Sequence, residues 1–306
     1  MNWEEIARRK SGFSLARFQR CDLTGKSATV KVFGILKLSP DRSEFELLQE
    51  FKRLLGSQYP SIFPRFHELG EIEGQYVMEL EYVGDINLEE VLLAERTSPT
   101  SAKAVVEQIS TFINQLADVQ PNSAGTVTGN YKQSFLNEIV SGLTRNVEAS
   151  GLTIELASHD RFLQRAVFNP TLCHRDLSAT NIMCEAGGTS RLIDPRWVVP
   201  GAVCQPLIYG SVAIDCASFQ VSLERKEVER KRLERPDLGL ADLFKAKTTV
   251  ALLQQGIFNE FMYDLCLAYS YSIYTACRCE YCLAPERRWL YELMRKQLQN
   301  SLRRIT

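Results

Sequence analysis

Phe45, Leu48, Phe51 and Leu55 recur three and four positions apart, with charged residues between them. That spacing predicts an amphipathic helix over 40–55 with a single apolar stripe. On either side the period changes to two. The runs Leu15 to Cys21 and Ser27 to Phe33 alternate, with a turn at Leu23-Thr24-Gly25-Lys26 between them. On the second run Thr29, Lys31 and Phe33 share one face. Phe66 to Ile72 and Gln75 to Tyr82 predict another hairpin, turning at Glu73-Gly74. Gly84-Asp85 then breaks the pattern. Beyond it the spacing is mostly helical, over 88–95, 101–119, 133–148 and 159–166, with a Pro/Gly/Ser/Thr-rich loop over 121–130. The expected architecture is α+β: a strand-rich unit over 1–83, then a larger, mainly helical unit over 84–306.

Inside the helical part a short hairpin interrupts. Ile182-Met183-Cys184, a turn at Ala186-Gly187-Gly188, and Arg191-Leu192-Ile193 read as two strands. The hairpin follows Leu172-Cys173-His174-Arg175-Asp176-Leu177-Ser178-Ala179-Thr180-Asn181, which has the form H-R-D-x-x-x-x-N. It leads into Asp194-Pro195-Arg196. Asn181 lies five positions after Asp176, and Asp194 thirteen after Asn181. A hairpin of that length would return Asp194 beside Asn181. Two hard oxygen ligands with room for water and phosphate suit magnesium. An aspartate just ahead of them, Asp176, is the residue type that takes the proton of an attacking hydroxyl in phosphoryl transfer.

On these residues the chain resembles the protein-kinase-like superfamily, and within it the aminoglycoside and choline phosphotransferase branch of small-molecule kinases. Four further stretches are similar to that family, in the right order. Ala28-Thr29-Val30-Lys31-Val32 resembles its third strand, and Ser43-Glu44-Phe45-Glu46-Leu47-Leu48 its glutamate-bearing helix. Leu80-Glu81-Tyr82-Val83-Gly84 resembles its hinge, and Gly210-Ser211-Val212-Ala213-Ile214-Asp215-Cys216-Ala217 its G-D-P-x-x-D-L-A run. The resemblance implies a two-lobed kinase-like fold with a small antiparallel sheet and a larger helical lobe. It implies Asp176 as catalytic base, Asn181 and Asp194 on Mg2+, and Lys31 on the ATP phosphates, held by Glu44. Adenine would sit at the hinge near Glu81 and Val83, and Ser11, Gly12 and Ser14 would form the lid over the phosphates. His174 would orient the catalytic loop and Asp215 brace it from below. ATP and magnesium are then the cofactors, and a hydroxyl of a small molecule is the acceptor.

The chain also departs from the pattern. Lys10-Ser11-Gly12-Phe13-Ser14 has one glycine where protein kinases carry three, Asp-Pro-Arg replaces Asp-Phe-Gly, and Ser211 replaces an aspartate. Only about twenty residues separate Asp194 from Asp215, little space for a regulatory activation segment. H-R-D favours a Ser/Thr protein kinase as the alternative; the short segment and Asp-Pro-Arg oppose it. A non-catalytic pseudokinase or scaffold is opposed by the full set Lys31, Asp176, Asn181 and Asp194. Arg175 is left either as a satisfied structural arginine or as a contact to an anionic acceptor.

Composition adds limits. A net charge of −1 and no basic, aromatic-interleaved run exclude a nucleic-acid partner. The polar, acidic Met1-Asn2-Trp3-Glu4-Glu5 is unlike a signal peptide, and no apolar run has the length of a membrane span. Nine cysteines without framework spacing fit reduced thiols, hence a cytoplasmic setting. Cys277, Cys279 and Cys282 are expected as buried helix-end thiols, since four zinc ligands are not found near them. Residues 205–306 carry fifteen Lys/Arg against twelve Asp/Glu. A slightly basic acceptor side favours a neutral or anionic acceptor over a polycation, with Arg196 as the candidate contact. Residues 224–235 are expected as a solvated charged helix, and 286–305 as an amphipathic helix packed on the domain.

Overall fold

The computed structural model describes residues 3–11, 14–21, 34–39, 42–72, 75–84, 86–95, 97–121, 126–149, 164–185, 188–196, 208–276 and 284–303. They form two compact units, Met1–Leu88 with Thr180–Trp197, and Glu89–Ala179 with Val198–Thr306. The division falls at 88/89, five residues after the expected one. The hairpin after the H-R-D motif belongs to the first unit, because its strands pair there and not with the helices that surround it in sequence.

In the first unit β1 (Trp3–Ser11), β2 (Ser14–Cys21), β3 (Gly34–Ser39), β4 (Phe66–Ile72) and β5 (Gln75–Glu81) build an antiparallel sheet in the order β1-β2-β3-β5-β4. β1 was not expected. Glu4-Glu5 and Arg8-Arg9-Lys10 break any two-residue alternation in its sequence, and the strand lies at the edge of the sheet. The β4–β5 hairpin matches its expected span, with a register shift between Glu68 and Gly70. The predicted strand 27–33 and its turn lie outside the described residues. On its other side β5 pairs with β3, which runs Gly34↔Glu81 to Ser39↔Tyr76.

Helix α1 (Ser43–Leu55) buries the stripe that its spacing predicted: Phe45, Leu48, Phe51 and Leu55 are at most 5% exposed. Phe45 meets Phe66 of β4 edge-on at 5.3 Å, and Phe51 meets Phe63 at 5.0 Å. Phe63 directly follows the short helix α2 (Tyr59–Ile62). Each such buried ring contributes roughly 1.5–3 kcal/mol relative to exposure, so α1 is fixed on the sheet by its aromatic face. A second, three-stranded sheet joins β6 (Ile86–Asn87) to the hairpin strands β7 (Ile182–Cys184) and β8 (Ser190–Leu192).

The second unit is mainly helical. It holds α3 (Leu88–Leu93) from Glu89 on, α4 (Pro99–Ala117), α5 (Thr126–Ala149), α6 (Ala213–Arg232), α7 (Leu240–Phe244), α8 (Val250–Gln254), α9 (Glu260–Ala276) and α10 (Ala284–Arg303). A π-helical turn, Lys245–Thr249, links α7 to α8. Ser98 caps α4 through the N–H of Ser101, and Pro99 occupies its first turn. Helix α5 starts at Thr126, inside the stretch expected as loop; low-propensity Thr and Gly are carried by the helix they extend. Gly142 of α5 lies against Tyr269 of α9, where a Cβ would come within 2.5 Å of the ring. Leu290, Met294 and Leu298 of α10 are at most 3% exposed, as an amphipathic helix packed on its domain requires.

The charged run 224–235 is less solvated than expected. Lys226 and Arg230 are 6% and 3% exposed. Lys226 pairs with Glu89 and Glu229, and Arg230 donates to the carbonyl of Leu92 at the end of α3 at 2.5 Å. Glu89 and Leu92 are remote in sequence, so periodicity could not show them. Among the described residues no helix is long and apolar enough to cross a membrane.

Candidate active site

Among the described residues of the first unit, a buried lysine is held between two carboxylates. Lys37 stands in β3, opposite Met78 of β5, and is 3% exposed. Its Nζ lies 2.5 Å from Glu44 Oε1 of α1 and 2.5 Å from Asp194 Oδ1. Burial works against its charge, but Asp194 and Glu44 outweigh burial and hold the ammonium above its ordinary pKa. Glu44 therefore does carry a strand lysine, and that lysine is Lys37. Lys31, the expected partner, lies outside the described residues. Both Val30-Lys31-Val32 and Leu36-Lys37-Leu38 place a lysine between apolar neighbours. Strand alternation cannot choose between them; pairing with β5 does.

Asp194 is presented by the β7–β8 hairpin. Its register, Ile182↔Leu192, sets Asn181 and Ile193 at one end, where Ile193 N–H donates to the Asn181 carbonyl at 2.9 Å. The next residue, Asp194, has φ 56, in the left-handed region that few non-glycine residues adopt. Such a conformation costs on the order of 1–3 kcal/mol and concentrates at functional positions. The bond to Lys37 helps to hold it. Gly84 packs on the same hairpin at φ 120, and a Cβ there would come within 2.6 Å of the Cys184 carbonyl oxygen.

Asn181 and Asp194 fit a hard cation. An amide oxygen and a carboxylate that is 31% exposed would leave further positions to water and phosphate, as magnesium prefers. Among the described residues no group of three or more His, Cys, Asp or Glu forms a closed metal cage.

The H-R-D segment lies in the second unit. Asp215, in the first turn of α6 and fully buried, accepts hydrogen bonds from the backbone N–H of His174 at 2.8 Å and of Arg175 at 2.7 Å. Burial pushes the Asp215 carboxyl up to about 7, against the pull of the two N–H donors and the Arg175 guanidinium. His174 is also fully buried, and its Nδ1 accepts a long 3.4 Å bond from the Asp176 N–H. The N–H of Ala179 donates to the Ser222 hydroxyl of α6 at 2.9 Å. The stretch around Asp176 is thus tied at several backbone positions, while Asp176 itself stays half-buried.

The remaining expected residues divide. Ser11 and Ser14 are register partners at the turn between β1 and β2, and Gly12 lies outside the described residues. Glu81 ends β5; its N–H donates to the Arg65 carbonyl at 2.8 Å and its carboxylate accepts from the Arg65 N–H at 3.0 Å. Val83 is 3% exposed and Arg196 is exposed. Arg175 resolves to the structural alternative: its side chain is 2% exposed and paired with Glu138 at 2.5 Å. Glu138, thirty-seven residues earlier on α5, had no local signal in the sequence. Cys277, Cys279 and Cys282 lie outside the described residues.

No protein-family model matches the chain, and a search of curated proteins finds no match by sequence. Solved structures do match. Aminoglycoside phosphotransferase APH(4)-Ia superposes with a TM-score of 0.57 at 10% identity, over 97% of this chain and 93% of that one. A thermostable mutant of the same enzyme, in a ternary complex with AMP-PNP and hygromycin B, gives 0.54 at 11% identity over 97% and 93%. A Haemophilus somnus protein assigned as a fructosamine-3-kinase gives 0.53 at 14% identity over 97% and 91%. At these identities the likeness is one of fold. The chain has the α+β fold of these aminoglycoside phosphotransferase structures.

Proposed function

We propose that the protein is an ATP- and magnesium-dependent phosphotransferase that moves the γ-phosphoryl group to a hydroxyl of a small molecule. The observation that carries this is Lys37, buried and held between Glu44 and Asp194. A desolvated ammonium fixed in place, with a carboxylate beside it to share a metal-bound polyphosphate, is a cation already positioned for the charge of phosphoryl transfer. Lys37 takes the role expected of Lys31.

The other roles follow the chain. Asp176 accepts the proton of the acceptor hydroxyl as its oxygen attacks the γ-phosphorus. The bond from that phosphorus to the β–γ bridging oxygen breaks, and ADP leaves with the electron pair. Asn181 and Asp194 would hold magnesium, which when bound neutralises phosphate charge. Lys37 meets the α- and β-phosphates. With the Glu81 carboxylate engaged by Arg65, adenine at 81–83 would be read by backbone atoms. Asp215 keeps the loop before Asp176 in one shape through His174 and Arg175.

The similar structure that holds AMP-PNP supports nucleotide binding, and its hygromycin B supports a small hydroxyl compound as acceptor. The basic balance of 205–306 and the exposed Arg196 favour a neutral or anionic acceptor over a polycation. The test is coupled ADP release across sugars, nucleosides, phosphorylated metabolites, aminoglycosides and a generic protein acceptor. Turnover of a neutral or anionic small molecule is the result expected. Turnover of the protein acceptor alone would make it a protein kinase; turnover of an aminoglycoside alone would overturn the charge preference.

A further inference from the structure

Arg175 directly precedes the proposed base and has φ 66, so an arginine occupies the left-handed backbone region. Such a residue stays there only when its surroundings over-determine it. Here they do. Its N–H donates to Asp215 Oδ1 at 2.7 Å, its Nη1 to Glu138 Oε2 at 2.5 Å, and its Nη2 to the Tyr209 carbonyl at 2.8 Å. The guanidinium lies 5.8 Å from the centre of the Phe135 ring. Gly210 leaves it room: a Cβ there would come within 3.0 Å of Nη2. Tyr209 and Gly210 pair with Leu172 and Thr171, the residues that lead into the motif. Phe135 and Glu138 are one turn apart on α5.

We propose that Glu138 and Arg175 form a positioning pair through which α5 sets the backbone ahead of Asp176. The proposal rests on Asp176 being the base. An internal carboxylate here takes the place of any anion supplied from outside. The guanidinium is 2% exposed and both ends of its fork are taken, so the loop is assembled permanently and needs no phosphorylation. Without Glu138 the guanidinium would lose the carboxylate paired with it and keep only the Asp215 carboxyl nearby, and it cannot shed its proton. It would turn toward water, and residue 175 would leave the left-handed region. Asp176, the next residue, would move with it.

Glu138 is 18% exposed, so a small solute can reach its place. That gives the experiment. In Glu138→Ala, hydrogen exchange at the His174 and Arg175 amides should accelerate by ~10-fold or more, with the α9 amides unchanged. The turnover number should fall by about 100-fold, the scale of a small misplacement of a catalytic group, with the KM for ATP near that of the wild type. Acetate should restore both exchange protection and turnover in Glu138→Ala. In Glu138→Gln, which fills the space, exchange should also accelerate, with no recovery in acetate. Unchanged exchange at the two amides in both variants, or acceleration spread evenly over the second unit, would overturn the pair. If the wild type turns over no ATP, the catalytic reading fails while the exchange measurement still decides the positioning role.

Discussion

Replacing Lys37 with methionine keeps most of the stem and removes the ammonium. The stability cost can be bracketed. Deleting one partner of a fully buried ion pair costs about 3–5 kcal/mol. An exposed pair is worth ~0–1 kcal/mol. The Lys37 side chain is 4% exposed, but the carboxylates left behind, Glu44 and Asp194, are 19% and 31% exposed and can take up water. The cost should therefore fall between, at about 1–3 kcal/mol, a drop of several degrees in Tm that leaves the protein folded. The catalytic cost should be larger. Loss of ~100-fold or more in turnover corresponds to about 2.7 kcal/mol of transition-state stabilisation. Lys31→Met should leave both quantities near wild type, because Glu44 and Asp194 already share an ammonium. Thermal melts and ADP release on the two variants side by side check this. Turnover lost in Lys31→Met and kept in Lys37→Met would refute the assignment of the phosphate lysine.

Three further outcomes are expected. Asp215 has its folded-state pKa raised to about 7, above its ordinary value, so its contribution to stability is complete below the ordinary carboxylate range and is lost as pH rises through about 7. Wild-type stability should decline by up to about 1.4 kcal/mol per pH unit across that window relative to Asp215→Asn; parallel melting curves for the two from pH 4 to 8 would remove the effect. Gly84→Ala, which forces a Cβ to 2.6 Å from the Cys184 carbonyl oxygen at φ 120, should cost at least about 1–3 kcal/mol in denaturant melts; a neutral result would mean that the backbone at Gly84 does not lie on the hairpin. Asp176→Asn should keep its Mg-ATP affinity by calorimetry and lose ~100-fold or more in turnover; near-normal turnover would remove Asp176 from the role of base.

Much of this was legible before any coordinates, and the parts that were not share a cause. The α1 stripe, the β4–β5 hairpin and the β7–β8 hairpin are local patterns, and short-range periodicity locates them. The H-R-D-x-x-x-x-N run and Asp194 were legible because their spacing is itself the signal. Lys37 was missed because two lysines have the same strand context, and only pairing with β5 and with Glu44 separates them. Strand β1 was missed because Glu4-Glu5 and Arg8-Arg9-Lys10 leave its sequence without a two-residue period. The burial of Lys226 and Arg230 was missed because their partners Glu89 and Leu92 lie more than a hundred residues away. Glu138 belongs to the same class: nothing near it in sequence marks it as the partner of Arg175.

The most direct measurement is 31P NMR of ATP incubated with the protein and a pool of neutral and anionic hydroxyl compounds, with magnesium and with excess chelator. A new phosphomonoester resonance should grow as the γ-phosphate signal falls, with magnesium present. It should be absent with chelator and absent for Asp176→Asn. ATP that stays intact in every pool, or is cleaved equally well by Asp176→Asn, would contradict the phosphotransferase built on Asp176, Lys37 and Asp194.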